Sequence, residues 1–308
     1  MNNTINKKST EDNSVLKLHT HLDGALTLSA PITWRQAPQT CYHNSETNYS
    51  CLDYHRIWQY FVLLGITTSV RTDSAFLINT FRELASDESN KRVLVSGTAD
   101  YTLLAHILYA YKQESKDVNV TVVDLCETAL ASNRWYAERN GLKIETIQAD
   151  ILNYAKPDCF DVICTHSFLG WFSPVQQSKL INNWHKLLRS GGKVITTRRL
   201  RSGDPDKPHG YSEEDALALK KKAYKAAMDN RQEHKLDPEK IAEAAYNFAK
   251  LRSRYETGTE EAFRDLFTRS GLRVVSMDYN TSLNKHQDKS TGPARGSSKR
   301  LRIIAQKD

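Results

Sequence analysis

The sequence predicts an α/β fold built on a doubly wound, largely parallel sheet of seven strands. Between residues 91 and 197, five short apolar runs alternate with stretches of helical periodicity, and two more runs follow later. Strands that alternate with helices are joined by right-handed crossovers, which set the strands side by side in one parallel sheet. Gly, Asp and aromatic residues follow several of the runs, at the edge where ligands bind in such a sheet. The sequence therefore predicts an architecture and the edge that carries its binding site.

The predicted strands fall into two groups, separated by a long polar insertion. They cover residues 92–96, 120–124, 144–148, 160–164 and 193–197 before the insertion, and 272–277 and 301–305 after it. The insertion, about 198–257, contains helical patterns with typical N-termini. One begins at Ser212, three residues before Asp215, and another begins at Asp237, directly before Pro238.

The first 90 residues precede the predicted sheet. Residues 1–14 are polar and are expected to be mobile, and residues 31–50 contain two prolines and are expected to be irregular. Apolar stripes at helical spacing predict two helices between residues 51 and 85. We expect this pair to cap the carboxyl edge of the sheet. The predicted division is a tail and helical cap, 1–90, followed by a sheet domain with its insertion, 91–308.

Composition restricts the class of protein. The chain has 308 residues with 39% hydrophobic content, enough for one large core, and a net charge of +7 that permits an anionic partner. No apolar run is long enough to span a bilayer, and the polar N-terminus does not resemble a secretory signal. The five cysteines form no Cys-x-x-Cys pair, so we interpret them as reduced thiols of a cytoplasmic protein without a metal site. The oligomeric state is left open.

A His-x-His pattern lies near the N-terminus, at His19 and His21. It resembles the metal-binding strand end that opens adenosine-deaminase-like amidohydrolases, but the sequence has no matching ligands at later strand ends. Motifs of this length often occur by chance. We interpret the segment as a surface loop with two histidines.

Three acids follow predicted strands and are candidate ligand contacts. Asp100 lies in the turn after Gly97, and its carboxylate is either a partner for an amino group or a helix N-cap. Asp124 ends the second strand, where a carboxylate either binds both hydroxyls of a ribose or caps a helix. Asp150 ends the third strand and either accepts from an adenine amino group or caps a turn. The turn at Gly97 lacks both GxGxxG and the P-loop lysine, which argues against NAD and ATP.

The order and spacing of these motifs resemble a class I S-adenosylmethionine-dependent methyltransferase. The matching segments are 92–99, 121–124, 148–151 and 160–166 for the four motifs, and 187–195 for the turn into strand five. The resemblance extends over 91–305, roughly two thirds of the chain. It implies a Rossmann-like fold whose last strand is antiparallel, and S-adenosyl-L-methionine as the cofactor.

The resemblance also implies cofactor contacts along the strand ends. These are Gly97 and Ala99 at the methionine part, Asp124 at the ribose, Asp150, Ile151, Leu125 and Cys126 at the adenine, and Thr165 at the sulfonium. The family has an acid where this chain has Val95, and glycines in place of Ala99 and Tyr101. We therefore expect Asp100 to replace the missing acid as partner of the cofactor amino group, and Tyr101 to add a ring to this part of the pocket.

Further candidates lie at the fourth strand end and in the cap. His166 is the candidate general base because its unperturbed pKa lies near neutral pH, although a structural hydrogen bond explains it equally well. Tyr54 is the second catalytic candidate, on a cap helix that could reach down as a lid. The candidate substrate contacts are two aromatic rings that attract a cation and two guanidinium groups that bind a carboxylate, Phe168, Trp171, Arg56 and Arg198. The alternatives are ordinary packing for the rings and a solvated helix face for Arg56.

Three functional hypotheses follow. The first is a methyltransferase that acts on a small-molecule acceptor by in-line attack, which requires positioning and no metal. The second keeps the cofactor but attacks its aminopropyl carbon and releases methylthioadenosine, as in azetidine-2-carboxylate synthases. The third, ranked last because no recognition motif is present, is nucleic-acid binding or modification by basic residues that include Lys285, Lys289, Arg295, Lys299, Arg300 and Arg302. No membrane partner is expected.

Overall fold

Seven strands form one mixed sheet in the computed structural model of the chain. In chain order they are β1 (Arg92–Ser96), β2 (Asn119–Asp124), β3 (Glu145–Gln148), β4 (Phe160–His166), β5 (Leu188–Leu200), β6 (Leu272–Tyr279) and β7 (Lys299–Lys307). Their order across the sheet is β6-β7-β5-β4-β1-β2-β3. β7 pairs antiparallel with β5 and β6, whereas the other pairs are parallel. The predicted fold class is confirmed, including its antiparallel last strand.

The structure describes residues 2–47, 49–200, 203–255, 258–280 and 299–308, with side chains at 13–47 and 300–308 in the first and last of these ranges. The α-helices in these ranges are α1 (Asn2–Thr40), α2 (Leu52–Leu63), α3 (Ser74–Ala85), α4 (Thr102–Gln113), α5 (Glu127–Arg139), α6 (Pro174–Leu187), α7 (Glu213–Asp229), α8 (Arg231–His234), α9 (Pro238–Leu251) and α10 (Glu260–Arg269). Within the same ranges, no helix is long and apolar enough to cross a membrane.

The order of the strands creates a crevice beside β1. Strands β2 and β3 lie on one side of β1, whereas β4 and β5 lie on the other. After β3 the chain crosses to the other side of β1, so neighbouring strands β1 and β4 are followed by connections that run in opposite directions along the sheet. Ligands bind at such a switch point, outside the carboxyl ends of the strands. The residues at those ends are Ser96 on β1, Asp124 on β2 and His166 on β4.

Helices cover both faces of the sheet, as the alternation of side chains in β1 illustrates. Val93 and Val95 are buried against apolar residues of α1, α3 and α4. Leu94 is buried in a second core with residues of α6 and α10, which include Trp184. The Trp184 indole N–H donates to Ser96 Oγ at 2.9 Å, so α6 is bonded to the carboxyl end of β1. A third core joins α2 to α7 and α9, which packs the inserted helices against the N-terminal cap.

The predicted helix starts in the insertion are confirmed. Ser212 Oγ accepts from the Asp215 N–H, and the Asp215 carboxylate reaches back to the Ser212 N–H, which completes a capping box at α7. The Asp237 carboxylate accepts from the backbone of Lys240, and Pro238 occupies the first turn of α9. These starts are predictable from the sequence because each cap satisfies a backbone N–H within three residues.

The N-terminal region differs from the prediction. Residues 1–14 and 31–50 were expected to be mobile and irregular, but α1 runs without interruption from Asn2 to Thr40 and includes two prolines. The physical reason is tertiary packing, which outweighs the low helix propensity of this segment. Its buried positions recur every three or four residues, at Leu18, Leu22, Leu26, Ala30, Thr33 and Ala37.

The two histidines of the His-x-His pattern lie on α1, so the predicted surface loop is wrong. His19 Nε2 lies 2.8 Å from Ser74 Oγ on α3. The His21 ring makes an edge contact with Tyr136 on α5, at a centroid distance of 5.8 Å. Both side chains therefore help to dock α1 on the sheet domain.

Stability should fall in acid because of a buried histidine on α4. His106 is fully buried between Ser74 Oγ, 2.7 Å from Nε2, and the carbonyl of Thr102, 2.6 Å from Nδ1. Burial lowers the pKa of His106 from 6.5 to about 3. Between these values the unfolded chain binds a proton that the folded chain excludes, so stability decreases as pH falls from 6.5 towards 3.

This decrease amounts to roughly 4–5 kcal/mol from His106 across that range. Urea denaturation at several pH values measures it. We expect His106→Gln to flatten the pH dependence, whereas substitution of the exposed His209 by Gln leaves it unchanged. An unchanged slope in His106→Gln would contradict the assignment.

Candidate functional site

A cavity of about 600 Å³ lies at the carboxyl ends of the central strands, beneath the cap and the inserted helices. Thirteen residues predicted from the sequence line it: Tyr54, Gly97, Ala99, Asp100, Asp124, Leu125, Cys126, Asp150, Ile151, His166, Phe168, Trp171 and Arg198. Candidates from six separate segments are thus brought together at one site, as expected for this edge of the sheet.

Three other candidates do not line the cavity. Tyr101 is completely buried, because its hydroxyl bonds to Ser29 Oγ at 2.9 Å and its ring stacks on Tyr136 at 4.6 Å. Thr165 is 1% exposed, within the body of β4. Arg56 lies over the ring of Trp34, with 4.1 Å between the guanidinium carbon and the ring centroid. The structure therefore gives Tyr101 and Arg56 packing contacts in place of the predicted ligand contacts.

The turn after β1 requires glycine. Gly97 has a φ of +71°, and its N–H donates to the carbonyl of Val123 at 2.9 Å. A Cβ atom at this position would lie 2.4 Å from the Phe168 ring. The missing side chain therefore allows an aromatic ring of the loop after β4 to approach the backbone of the turn.

We expect Gly97→Val to destabilise the protein and to block the cavity. The left-handed backbone costs an L-residue about 1–2 kcal/mol, and the contact with Phe168 forces a further shift. Gly141→Val is the matched control, since Gly141 also has a positive φ, +67°, but a Cβ atom there would have no neighbouring atom within 4 Å. Thermal unfolding of both variants measures the difference. Equal losses would show that the close approach of Phe168 is unimportant.

Asp100 precedes the N-cap of α4 and has one carboxylate oxygen without a hydrogen bond among the described residues. Its Oδ1 accepts from the N–H of Thr102 at 2.7 Å. Its Oδ2 is buried and has no hydrogen-bond partner among the described residues. Burial raises the pKa of Asp100. A buried acceptor without a partner is costly, so this oxygen on the cavity wall fits a donor group of a bound ligand.

Asp124 holds the turn after β1 and the turn after β2. Its Oδ2 accepts from the N–H of Thr98, and its Oδ1 accepts from the N–H of Cys126, both at 2.8 Å. Burial raises the pKa of Asp124 to about 6. Each carboxylate oxygen still has a second lone pair, so the group can accept from two ligand hydroxyls while it holds both loops.

The Asp150 side chain caps a turn, which is the second of the two roles that the sequence suggests for it. Its Oδ1 accepts from the N–H of Leu152 at 2.9 Å, and its Oδ2 accepts from the amide of Asn153 at 2.8 Å. Ile151 beside it is 4% exposed. An adenine contact at Asp150 stays a prediction.

His166 belongs to a buried network of charges at the cavity wall. Its Nε2 lies 2.9 Å from Asp73 Oδ2, and the Asp73 carboxylate also accepts from Arg302 Nε at 2.9 Å. Arg300 Nη1 lies 3.3 Å from the same histidine nitrogen and 2.9 Å from Ser167 Oγ. Burial lowers the pKa of His166. Burial alone would raise the pKa of Asp73, but the His166 hydrogen bond and the neighbouring arginines lower it below its usual range.

Aromatic rings form the roof of the cavity. The Tyr54 ring stacks on Trp58 at 5.1 Å and meets the edge of Trp171 at 5.2 Å. Burial raises the pKa of the Tyr54 hydroxyl, which therefore stays protonated. The Arg254 guanidinium lies 3.5 Å from the centroid of Trp171. A bound ligand would thus contact rings and cations on this side of the cavity.

A comparison with protein families identifies the central segment. Residues 97–192 match the model of a methyltransferase domain. With the strand order of the sheet, this match confirms the predicted resemblance to class I S-adenosylmethionine-dependent methyltransferases. No curated protein matches the sequence.

Solved structures with a similar fold have low sequence identity to this chain. The 1,6-didemethyltoxoflavin-N1-methyltransferase of Burkholderia thailandensis is 15% identical, over 75% of this chain and 78% of that chain, with a TM-score of 0.47. The N-methyltransferase NodS of Bradyrhizobium japonicum, in complex with S-adenosylhomocysteine, is 14% identical over 75% and 85%, with a TM-score of 0.43. The (4+2)-cyclase SpnF is 12% identical over 75% and 80%, with a TM-score of 0.49.

The sequence analysis did not identify several residues that the structure places at or beside the cavity. The sequence places Asp73 only at the start of a helix, and Arg300 in a basic tail. The cavity wall also includes Arg252, Arg254, Cys51 and His55. Only the spacing of Cys51 and His55, one helical turn apart, was a local signal. The others come together through contacts between distant segments, which no sequence motif records.

Proposed function

We propose that this protein is an S-adenosylmethionine-dependent methyltransferase that acts on a small-molecule acceptor. The observation that carries the proposal is the cavity of about 600 Å³, which joins the Gly97 turn, Asp100 and Asp124 at the switch point of a methyltransferase domain. Cavities of roughly 300–1,000 Å³ are typical of small-molecule sites.

The residues present fit the cofactor. The unpartnered Oδ2 of Asp100 is suited to the amino group of the methionine part, and the free lone pairs of Asp124 are suited to the ribose hydroxyls. Gly97 lets the Phe168 ring pack against the turn, and both residues line the cavity. Ile151 and Leu125 provide apolar surface next to Asp150 for a purine ring. When bound, the cofactor supplies an activated methyl group.

The acceptor that we propose carries an acidic group. Five arginines line the cavity, Arg198, Arg199, Arg252, Arg254 and Arg300, of which Arg300 is paired with the Asp73 carboxylate, whereas its three aspartates lie at the strand ends assigned to the cofactor. An excess of positive charge on a partly enclosed wall attracts a carboxylate or a phosphate. Arg198 is 2% exposed and donates to the carbonyl of Tyr255, which fixes its position in the wall.

His166 is suited to accept a proton from the attacking group. Its lowered pKa keeps the ring neutral at pH 7. If Nε2–H donates to the Asp73 carboxylate, Nδ1 is the remaining acceptor of the neutral ring. Tyr54, held protonated by burial, is suited to donate a hydrogen bond to the acceptor. Asp73 is therefore a positioning residue that orients the imidazole.

The nucleic-acid hypothesis has less support. Arg300 and Arg302 contact the buried carboxylate of Asp73, and both side chains are at most 13% exposed. They are therefore poorly placed to contact a phosphate backbone. Lys285, Lys289 and Arg295, together with the side chain of Lys299, lie outside the described residues.

Mass spectrometry tests the proposed reaction. The purified protein is incubated with S-adenosylmethionine that carries a trideuterated methyl group, together with a pool of small anionic metabolites. We expect S-adenosylhomocysteine and a deuterium-labelled acceptor to form, and both to be lost in Asp124→Ala. A second incubation contains the protein and S-adenosylmethionine without the metabolite pool. Release of methylthioadenosine there, with its loss in Asp124→Ala, would contradict methyl transfer and support attack at the aminopropyl carbon.

A further inference from the structure

Four potential metal ligands meet beside the cofactor cavity. Their ligand atoms, the Sγ atoms of Cys41, Cys51 and Cys126 and one ring nitrogen of His55, all lie within 4.8 Å of one another. Cys41 Sγ is 4.0 Å from His55 Nδ1. Cys51, His55 and Cys126 are buried, and Cys41 is half-buried. Buried polar groups of this kind need partners, and together they offer three sulfurs and one nitrogen.

The four side chains come from two neighbouring segments near the N-terminal cap and one segment that is distant in sequence. Cys41 directly follows α1, Cys51 is the N-cap of α2, and Cys126 is the N-cap of α5. His55 lies one turn after Cys51 and therefore on the same face of α2. The convergence is a product of the tertiary fold, and it fixes the N-terminal cap to the loop that follows β2.

We propose that these four residues bind a zinc ion. Three cysteines and one histidine are one of the standard ligand sets of structural zinc, with Zn–S bonds of about 2.3 Å and Zn–N bonds of about 2.0–2.1 Å. In a tetrahedron with these bond lengths the ligand atoms lie about 3.5–3.8 Å apart. The observed limit of 4.8 Å between the atoms requires only small side-chain adjustments to reach that geometry.

The ligand set favours zinc and a structural role. Calcium and magnesium take oxygen ligands, which this cluster does not offer, whereas thiolates favour soft metals, and the set of three cysteines and one histidine is typical of zinc. Four protein ligands complete the tetrahedral shell and leave no open position for a substrate or an activated water. Thr128 Oγ1 lies 3.1 Å from Cys41 Sγ, which gives one ligand a supporting hydrogen bond.

The zinc ion would stabilise the wall of the cofactor cavity. Cys51, His55 and Cys126 line the cavity, and the Cys126 N–H donates to Asp124 at 2.8 Å. Metal coordination at Cys126 therefore holds the loop that presents Asp124, and it ties this loop to the helices of the cap. Because metal binding to such a site occurs in the folded state, its free energy adds to the stability of the fold.

Metal analysis of the purified, reduced full-length chain tests the proposal without any substrate. We expect about one zinc ion per chain after dialysis, and the absorption spectrum of tetrahedral thiolate-bound cobalt when cobalt replaces zinc. Cys51→Ser and Cys126→Ser should each lower the bound zinc at least about tenfold in the presence of a competing chelator. Cys159→Ser, which changes a cysteine outside the cluster, should keep it.

Two results would overturn the proposal. One is a wild-type chain that binds neither zinc nor cobalt after reduction, including the case in which two of these cysteines are found joined as a disulfide. The other is an equal loss of zinc in Cys159→Ser and in Cys126→Ser, which would indicate non-specific binding by thiols. The cobalt spectrum of the wild-type chain decides the question even if a variant fails to fold. Neither result bears on the methyltransferase proposal, because no cofactor is present.

Discussion

Asp124→Ala should weaken the binding of S-adenosylhomocysteine about 100-fold or more. Asp124 holds the turn after β1 through Thr98 and the start of α5 through Cys126, and it lines the cavity. Hydrogen bonds to a charged group contribute about 1.5–3 kcal/mol each, and a ribose can form two of them with this carboxylate. Isothermal titration calorimetry measures the loss directly.

The control for this prediction is a second acid at a neighbouring strand end. Asp150→Ala should weaken binding less, because Asp150 is expected to accept a single hydrogen bond from the adenine amino group, whereas Asp124 can accept two from the ribose hydroxyls. Circular dichroism should show that both variants stay folded at 25 °C. Wild-type affinity in a folded Asp124→Ala protein would contradict the assignment of Asp124 to the ribose.

Asp73→Ala should destabilise the protein by about 3–5 kcal/mol. The Asp73 side chain is completely buried and faces His166, Arg300 and Arg302, whose side chains are 7%, 7% and 13% exposed. Removal of the carboxylate leaves the two guanidinium groups buried without their anion, and the cost of such a buried charge exceeds the value of the original pair. Urea denaturation at pH 7 measures the change in the free energy of unfolding.

An exposed acid provides the matched comparison for Asp73. Asp117→Ala, in a loop before β2, should change stability by less than about 0.5 kcal/mol. Replacement of Arg302 by Leu in the Asp73→Ala background should recover part of the loss, because it removes one of the unpaired charges. Equal effects of Asp73→Ala and Asp117→Ala would show that the buried network contributes little.

Local signals explain why much of the sheet and of the cofactor side of the site could be predicted. Each strand is a short apolar run, and the residues at its carboxyl end reach the same edge in any doubly wound sheet. The positions of Asp124 and Gly97 at the cavity are predictable from this rule. The capping boxes and N-caps of the inserted helices are equally local, since each involves residues three positions apart.

The remaining features depend on contacts between distant segments. α1 is helical because Leu22 and Leu26 are buried in the sheet core, although its polar residues and prolines indicate irregular structure. Tyr101 follows the predicted turn, but its partner Ser29 lies on α1, a helix that the sequence does not predict. The sequence gives no metal-binding motif for the proposed zinc ligands, because Cys126 is far along the chain from Cys41 and Cys51. It therefore predicts free thiols at these positions.

A crystal structure of the protein with S-adenosylhomocysteine tests the central claim most directly. The account predicts the ligand in the cavity beside β1, with both ribose hydroxyls within hydrogen-bond distance of the Asp124 carboxylate and the amino group at Asp100 Oδ2. A ligand bound elsewhere, or one whose ribose does not contact Asp124, would contradict the proposed cofactor site.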